Sequence, residues 1–248
     1  MEKNVILLHG FGEDQRVFGD ILPKLSASFK VFTPDLPGSG SLSGISFEPS
    51  LDSLADWLLA YTDSKGIDKF VLLGHSMGGY IALAFAEKYA DRLQGLGLLH
   101  STAYADSQAK KEMRLKAIDF MEQKTGFTFL KTAIPGLFAP DFAQQNPEVV
   151  DHLVALAAGF TTASLQQYYL AMANRPDRSI VLANAKIPVL IIAGSEDNAA
   201  PVADLSAQAA LPAICHFSIL QNTGHMGMLE NPDDFATIIN TYLGVINY

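Results

Sequence analysis

Phe70-Val71-Leu72-Leu73-Gly74-His75-Ser76-Met77-Gly78-Gly79, followed by the apolar stretch Tyr80–Tyr89, decides how this chain is read. Phe70–Leu73 is a short continuous apolar run, the pattern of a strand buried on both faces. Tyr80–Tyr89 reads as a helix. Between them Gly74-His75-Ser76-Met77-Gly78 fits G-x-S-x-G. A serine on so tight a strand-to-helix turn is held in a strained backbone, and the absence of side chains at Gly74 and Gly78 relieves the crowding. The turn lifts the hydroxyl clear, and the helix N-terminus offers free N–H groups to a developing negative charge. The plainer reading is a Gly-Ser turn that opens a buried helix. The flanking strand and helix favour Ser76 as a nucleophile.

The same alternation extends outward. Val5–Leu8, Lys30–Phe32, Gly95–Leu99, Val189–Ala193 and Phe217–Leu220 are further short apolar runs. Helical spacing lies between them. Leu51, Leu54, Ala55, Leu58 and Leu59 form one apolar stripe, and Phe235, Ile238, Ile239, Tyr242 and Leu243 form another. Asn231-Pro232 suits the start of that last helix, as cap and first helical residue. Strand–helix alternation predicts an α/β fold with a mostly parallel sheet of about six strands. One connection is too long. About ninety residues separate Leu99 from Val189, whereas a βαβ unit needs roughly 30. Ser107–Lys124, Pro147–Ala158 and Ala163–Ala173 carry helical patterns within it. Residues 1–100 and 185–248 are therefore expected to form the core, and 101–184 an inserted helical cap.

Composition narrows the function classes. Of 248 residues, 49% are hydrophobic, enough for a sizeable core, and the formal net charge is −9. An acidic surface repels phosphate backbones and anionic lipid, so nucleic acid and membrane are not expected partners. No apolar run approaches the ~18 residues of a membrane span. The run Val5–Leu8 is too short for a signal peptide, which predicts a cytoplasmic protein. The single cysteine, Cys215, cannot form an internal disulfide. No cysteine–histidine cluster has metal-ligand spacing, so neither a metal nor a cofactor is expected. The oligomeric state is left open.

Four further motifs join the elbow. His9-Gly10-Phe11-Gly12 follows the first strand, Asp35-Leu36-Pro37-Gly38-Ser39-Gly40 the second, Gly194-Ser195-Glu196-Asp197 the fifth and Gly224-His225 the sixth. With the order Ser, Asp, His along the chain, they resemble the α/β-hydrolase superfamily over nearly the whole chain apart from the cap. The resemblance implies a triad of Ser76, Asp197 and His225, and an oxyanion hole made by the backbone N–H groups of Phe11 and Met77. One departure is visible. Many relatives carry a strand hairpin before the His-Gly strand, and here it is missing or very short.

Each partner is also read on its own residues. His225 sits on a glycine-containing loop at the end of a strand, where a general base can reach a serine; alone, it would read as a surface-loop histidine. Asp197 follows a strand and would orient the imidazole; Glu196 beside it and Asp106 beyond the preceding strand are the alternatives. His9 reads as a brace of its loop, His75 as a structural neighbour of the serine, and His100 as a candidate lining residue of the pocket. Phe11 is expected to line that pocket. The cap carries Phe120, Phe127, Phe129, Phe138, Phe142, Phe160, Tyr168, Tyr169, Met113, Met121 and Met172. Most should form its own core and a few should face the serine.

The implied chemistry is hydrolysis of an ester or related acyl bond of a small, partly apolar substrate through an acyl-enzyme. A serine at the elbow argues against dehalogenase or epoxide hydrolase chemistry, which uses an aspartate there, and Met77 departs from the tryptophan of cofactor-free haloperoxidases. A lyase of the menaquinone-biosynthesis type and a carbon–carbon bond hydrolase use the same triad and are the enzymatic alternatives. A ligand receptor or pseudo-enzyme is the non-enzymatic one.

Overall fold

The computed structural model describes residues 3–246. Six strands form one sheet: β1 (Asn4–Leu8), β2 (Lys30–Phe32), β3 (Phe70–His75), β4 (Leu93–Leu99), β5 (Val189–Gly194) and β6 (Cys215–Leu220). Their spatial order is β2-β1-β3-β4-β5-β6, and every pairing is parallel. Both the strand count and the parallel sheet match the expectation from sequence, and no hairpin precedes β1 among the described residues. The central strands β1, β3, β4 and β5 are almost wholly buried, as continuous apolar runs require. The edge strands β2 and β6 are not. Each has a neighbour on one side only, so Lys30 is exposed and Ile219 shows 39% of its surface.

Helices α1 (Leu51–Ser64) and α2 (Met77–Tyr89) pack on each other, and α2 lies against β3 and β4. The Ser50 hydroxyl caps α1 by accepting from the Ser53 N–H at 3.0 Å, and Leu51, Leu54, Ala55 and Leu58 are the buried stripe. Between β4 and β5 the chain forms six α-helices, α3 (Gln108–Gln123), α4 (Gly126–Ala133), α5 (Pro140–Gln145), α6 (Pro147–Ala157), α7 (Thr162–Ala173) and α8 (Ser179–Ala183), and one 3-10 helix, Ile134–Leu137. Ser107, Thr125 and Thr161 cap α3, α4 and α7 by accepting from the N–H three residues on. Helix α9 (Val202–Ala209) packs on β5 and β6, the single turn α10 (Gly227–Glu230) follows β6, and α11 (Pro232–Gly244) closes the described fold. Asn231 caps α11 and Pro232 is its first residue, as the sequence indicates.

Register decides where the site lies. Leu8 is level with Gly74, Gly74 with Leu98, Leu99 with Ile192 and Gly194 with Leu220. The carboxyl ends of five strands thus finish side by side, and the loops leaving them carry Phe11, Ser76, His100, Asp197 and His225. This is where open α/β sheets place ligands.

Candidate active site

Ser76 is the best-defined feature of this edge. Its backbone has φ 50° and ψ −116°, a conformation that L-residues rarely adopt. Two contacts hold it there: the Ser76 N–H donates to Leu99 O at 2.9 Å, and the Ser101 hydroxyl donates to Ser76 O at 2.7 Å. The flanking glycines are obligatory. A Cβ at Gly74 would meet Gly78 O at 2.2 Å, and one at Gly78 would meet Leu8 O at 2.4 Å. Both obstacles are backbone and cannot swing aside.

His225 Nδ1 donates to Asp197 Oδ2 at 2.8 Å. The other Asp197 oxygen accepts from the N–H groups of Ala199 and Ala200, at 2.8 and 2.9 Å. Burial works against ionising Asp197, yet His225 and His100 outweigh it and hold the carboxyl far below the usual carboxylate range. The acid beside the histidine is therefore Asp197. Glu196 is half-buried on the same turn, and Asp106 is buried elsewhere, between Arg114 and Arg175. A proton on His225 Nδ1, fixed by the carboxylate, leaves Nε2 as the basic nitrogen.

The loop after β1 is braced as its residues suggest. His9 is fully buried, donates from Nδ1 to Gly10 O at 2.9 Å and accepts at Nε2 from the Leu36 N–H at 3.1 Å. Burial lowers its pKa, which keeps the neutral form that this pattern needs. Asp35 accepts from the N–H groups of Gln15 and Ser41 and so ties the second loop to the first. The N–H groups of Phe11 and Met77 find no acceptor among the described residues.

A cavity of about 360 Å³ joins these parts. Ser76, His225 and Phe11 line it, together with Met113, Phe129, Tyr169 and Met172 from the segment between β4 and β5. Phe138, Phe160, Tyr168 and Met121 are buried away from it, and Phe120 and Phe127 are exposed. His100 does not line it. Positive φ (51°) at the end of β4 turns its ring under the site, where Nδ1 donates to Asp197 Oδ2 at 3.0 Å.

The sequence pattern of the alpha/beta hydrolase family matches residues 5–238. The chain belongs to that family. A pimeloyl-[acyl-carrier protein] methyl ester esterase from Neisseria meningitidis is 27% identical over 215 residues, which cover 80% of this chain and 63% of that protein. A dihydrolipoyllysine-residue acetyltransferase component of an acetoin cleaving system from Cupriavidus necator is 25% identical, covering 98% of this chain. The chain spans 64% of that protein's length. Among solved structures, a thermophilic esterase from Thermogutta terrifontis with malate bound superposes with a TM-score of 0.94 at 29% identity, covering 100% of this chain and 92% of the other. No helix of the described residues is long and apolar enough to cross a membrane.

This family member also carries supports that its sequence does not advertise. His75 donates from Nδ1 to Glu13 at 2.9 Å and from Nε2 to His225 O at 2.9 Å. The His225 carbonyl can only accept, and His75 outweighs burial to hold Glu13 below its usual pKa as a carboxylate, so the ring carries two protons and the two side chains form a buried ion pair. Burial alone would lower the His75 pKa, but Glu13 raises it above the ordinary value. Glu230 accepts from the N–H groups of Gly224, Met226 and Ala139 at 2.9–3.0 Å, and the His225 N–H donates to Leu137 O at 2.7 Å. His225 is thereby tied to the segment between β4 and β5, whose Leu137 lines the cavity. His100, Asp197 and His225 also form a buried group whose ligand atoms lie within 4.8 Å of one another. The Nδ1 donors on one shared carboxylate oxygen account for that closeness without a metal.

Proposed function

We propose that this protein hydrolyses a carboxylic ester or related acyl bond of a small, partly apolar molecule, with Ser76 as nucleophile, His225 as general base and Asp197 as the acid that orients it. The observation that carries this reading is convergence on one cavity. Its lining includes a strained serine, a histidine whose Nδ1 is bound to a buried carboxylate, and Phe11, whose N–H, like that of Met77 next to the serine in the chain, has no acceptor among the described residues.

Ser76 Oγ attacks the carbonyl carbon while His225 Nε2 takes its proton. The carbonyl oxygen becomes an oxyanion, which accepts from Phe11 and Met77. As the tetrahedral intermediate collapses, the bond to the leaving alcohol breaks and His225 returns the proton to that alcohol. Water then attacks the acyl-enzyme, giving its proton to His225, and Ser76 leaves with that proton as the acid departs. The segment from Ser101 to Asn184 acts as a lid that keeps bulk water from the acyl-enzyme and shapes the acyl pocket. No step needs a cofactor.

The test is turnover of 4-nitrophenyl esters by wild type and Ser76→Ala. The expected loss is on the order of 10⁴-fold with an unchanged fold by circular dichroism. A folded Ser76→Ala enzyme that retained a tenth of the activity would end the assignment.

A further inference from the structure

The cavity wall is mostly apolar, but α3 brings two cations to it, Lys110 and Arg114. Arg114 is only 8% exposed. Its Nε donates to Asp106 Oδ2 at 2.6 Å, and its guanidinium lies 5.1 Å from the Tyr169 ring centroid. Its two terminal nitrogens find no acceptor among the described residues. Donors that make no bond within the protein and belong to a residue of the cavity wall are free for the acceptors of a ligand.

Charge balance points the same way. Asp106 is shared by two guanidiniums, because Arg175 Nη1 lies 2.9 Å from its other oxygen. One carboxylate against two cations leaves one positive charge over. Arg175 does not line the cavity: its terminal nitrogens donate to Met172 O and Tyr104 O, its guanidinium lies over the Tyr80 ring at 3.9 Å, and its Nε is buried without a partner. The surplus is therefore presented at Arg114, which faces the cavity. Lys110 donates to Ala199 O at 3.0 Å and adds a second positive group on the same helix. Glu13, the carboxylate in the lining, is matched by His75.

We propose that Arg114, supported by Lys110, is a subsite for a carboxylate carried by the substrate, so that the preferred substrates are half-esters of small dicarboxylic acids. The planar guanidinium fork suits a carboxylate, and a surplus of one charge on the Arg114–Asp106–Arg175 cluster suits a monoanion. The proposal rests on the ester-hydrolysis reading of the same cavity and names its substrate class.

Two probes of equal length test it: 4-nitrophenyl hydrogen glutarate and 4-nitrophenyl pentanoate. Wild type should favour the anionic ester in kcat/KM, and added salt should reduce that preference. In Arg114→Met the anionic-to-neutral ratio should fall by about 10- to 100-fold, the loss expected for a charge-assisted hydrogen bond. Arg114→Lys should recover part of it, and Lys110→Met should lower the ratio less. Asp106 keeps Arg175 as partner in Arg114→Met; if that variant fails to fold, the Lys variant, Lys110→Met and the salt dependence still decide. A ratio unchanged by these substitutions, or a wild-type preference for pentanoate, overturns the subsite. Binding of glutarate to Ser76→Ala, measured by calorimetry with and without Arg114→Met, separates the two readings. Arg114-dependent binding without turnover of either ester by wild type keeps the subsite and removes the hydrolase reading. Ser76-dependent turnover indifferent to Arg114 does the reverse.

Discussion

His100 Nδ1 lies 3.0 Å from Asp197 Oδ2, the same oxygen that His225 Nδ1 reaches at 2.8 Å. Two imidazoles thus share one carboxylate oxygen, and only one of them faces the cavity. His100 is fully buried and its Nε2 has no partner. Burial is the dominant cause that brings its pKa from 6.5 down to about 4, so the ring donates as a neutral group. The role that fits is a fixed donor that holds Asp197 for His225.

The depressed pKa has a consequence for stability. Between pH 6.5 and about 4 the unfolded chain binds a proton on His100 that the folded chain refuses. Stability from this site is full above pH 6.5 and is lost as pH falls, by about 3 kcal/mol at most. Asparagine suits the positive φ and can place an amide donor near Nδ1. His100→Asn is therefore expected to fold and to lose less stability than wild type between pH 7 and 4. Urea unfolding at a series of pH values checks this, and a wild-type-to-variant difference that stays constant with pH counts against it.

Asp197 and Asp106 should separate cleanly under mutation. Asp197→Asn alters the group that fixes the His225 tautomer, and a loss of about 10⁴-fold in kcat is expected with a modest change in stability. Asp106→Asn leaves two buried guanidiniums without a counter-charge, so destabilisation of about 3–5 kcal/mol is expected. Burial opposes ionisation of Asp106, but Arg114 and then Arg175 hold its pKa below the usual value. Its contribution is present above the unfolded carboxylate pKa and is lost as pH falls through the lower folded value. Denaturant melts and ester kinetics on both variants would show the split. A catalytic collapse in Asp106→Asn without loss of stability would reverse the assignment.

Glu230 is expected to act as a positioning residue. Its carboxylate takes N–H groups on both sides of His225 and one from Ala139, so it fixes the loop that carries the imidazole. Glu230→Gln gives up one acceptor oxygen. A small displacement of the base should cost about 10- to 100-fold in kcat. KM for a short ester should move less, because Glu230 does not line the cavity. Equal effects on KM and kcat would assign it a general structural role instead.

What the sequence revealed follows from what is local in it. The β3–elbow–α2 unit was legible because an apolar run, two glycines and an apolar helix are adjacent in the chain. Helices α4 and α5 leave no such signal, being short and wound from Gly126 and Pro140 onward. Arg114 was missed for a different reason. Lys110-Lys111-Glu112-Met113-Arg114 looks like the solvated face of a helix, and only packing against α7 and Asp106 buries its last residue. His100, at the end of a strand, is only a candidate for the pocket in sequence; its positive φ turns it inward instead. Glu230 serves backbone groups as far away as Ala139, a contact no spacing rule announces.

Acyl length should be selected by side chains of the segment between β4 and β5. Phe129 lines the cavity from α4, with its ring 6.4 Å from Phe11 and 5.4 Å from Tyr169. Ala117 lines it from α3. If the segment between β4 and β5 shapes the acyl pocket, these two positions should move substrate preference in opposite directions. Phe129→Ala removes an aromatic wall, so longer acyl chains should gain relative to acetate. Each additional buried methylene contributes about 0.8 kcal/mol, or roughly fourfold in kcat/KM. Ala117→Leu fills space and should penalise chains beyond butanoate while leaving acetate hydrolysis less affected. The measurement is kcat/KM across 4-nitrophenyl acetate, butanoate, hexanoate and octanoate for wild type and both variants. Neutral esters are needed, so that chain length is not confounded with charge recognition at Arg114. If both variants change all four esters by one common factor, these side chains only stabilise the fold. Length selection would then lie in the loops around Phe11 and Asp35.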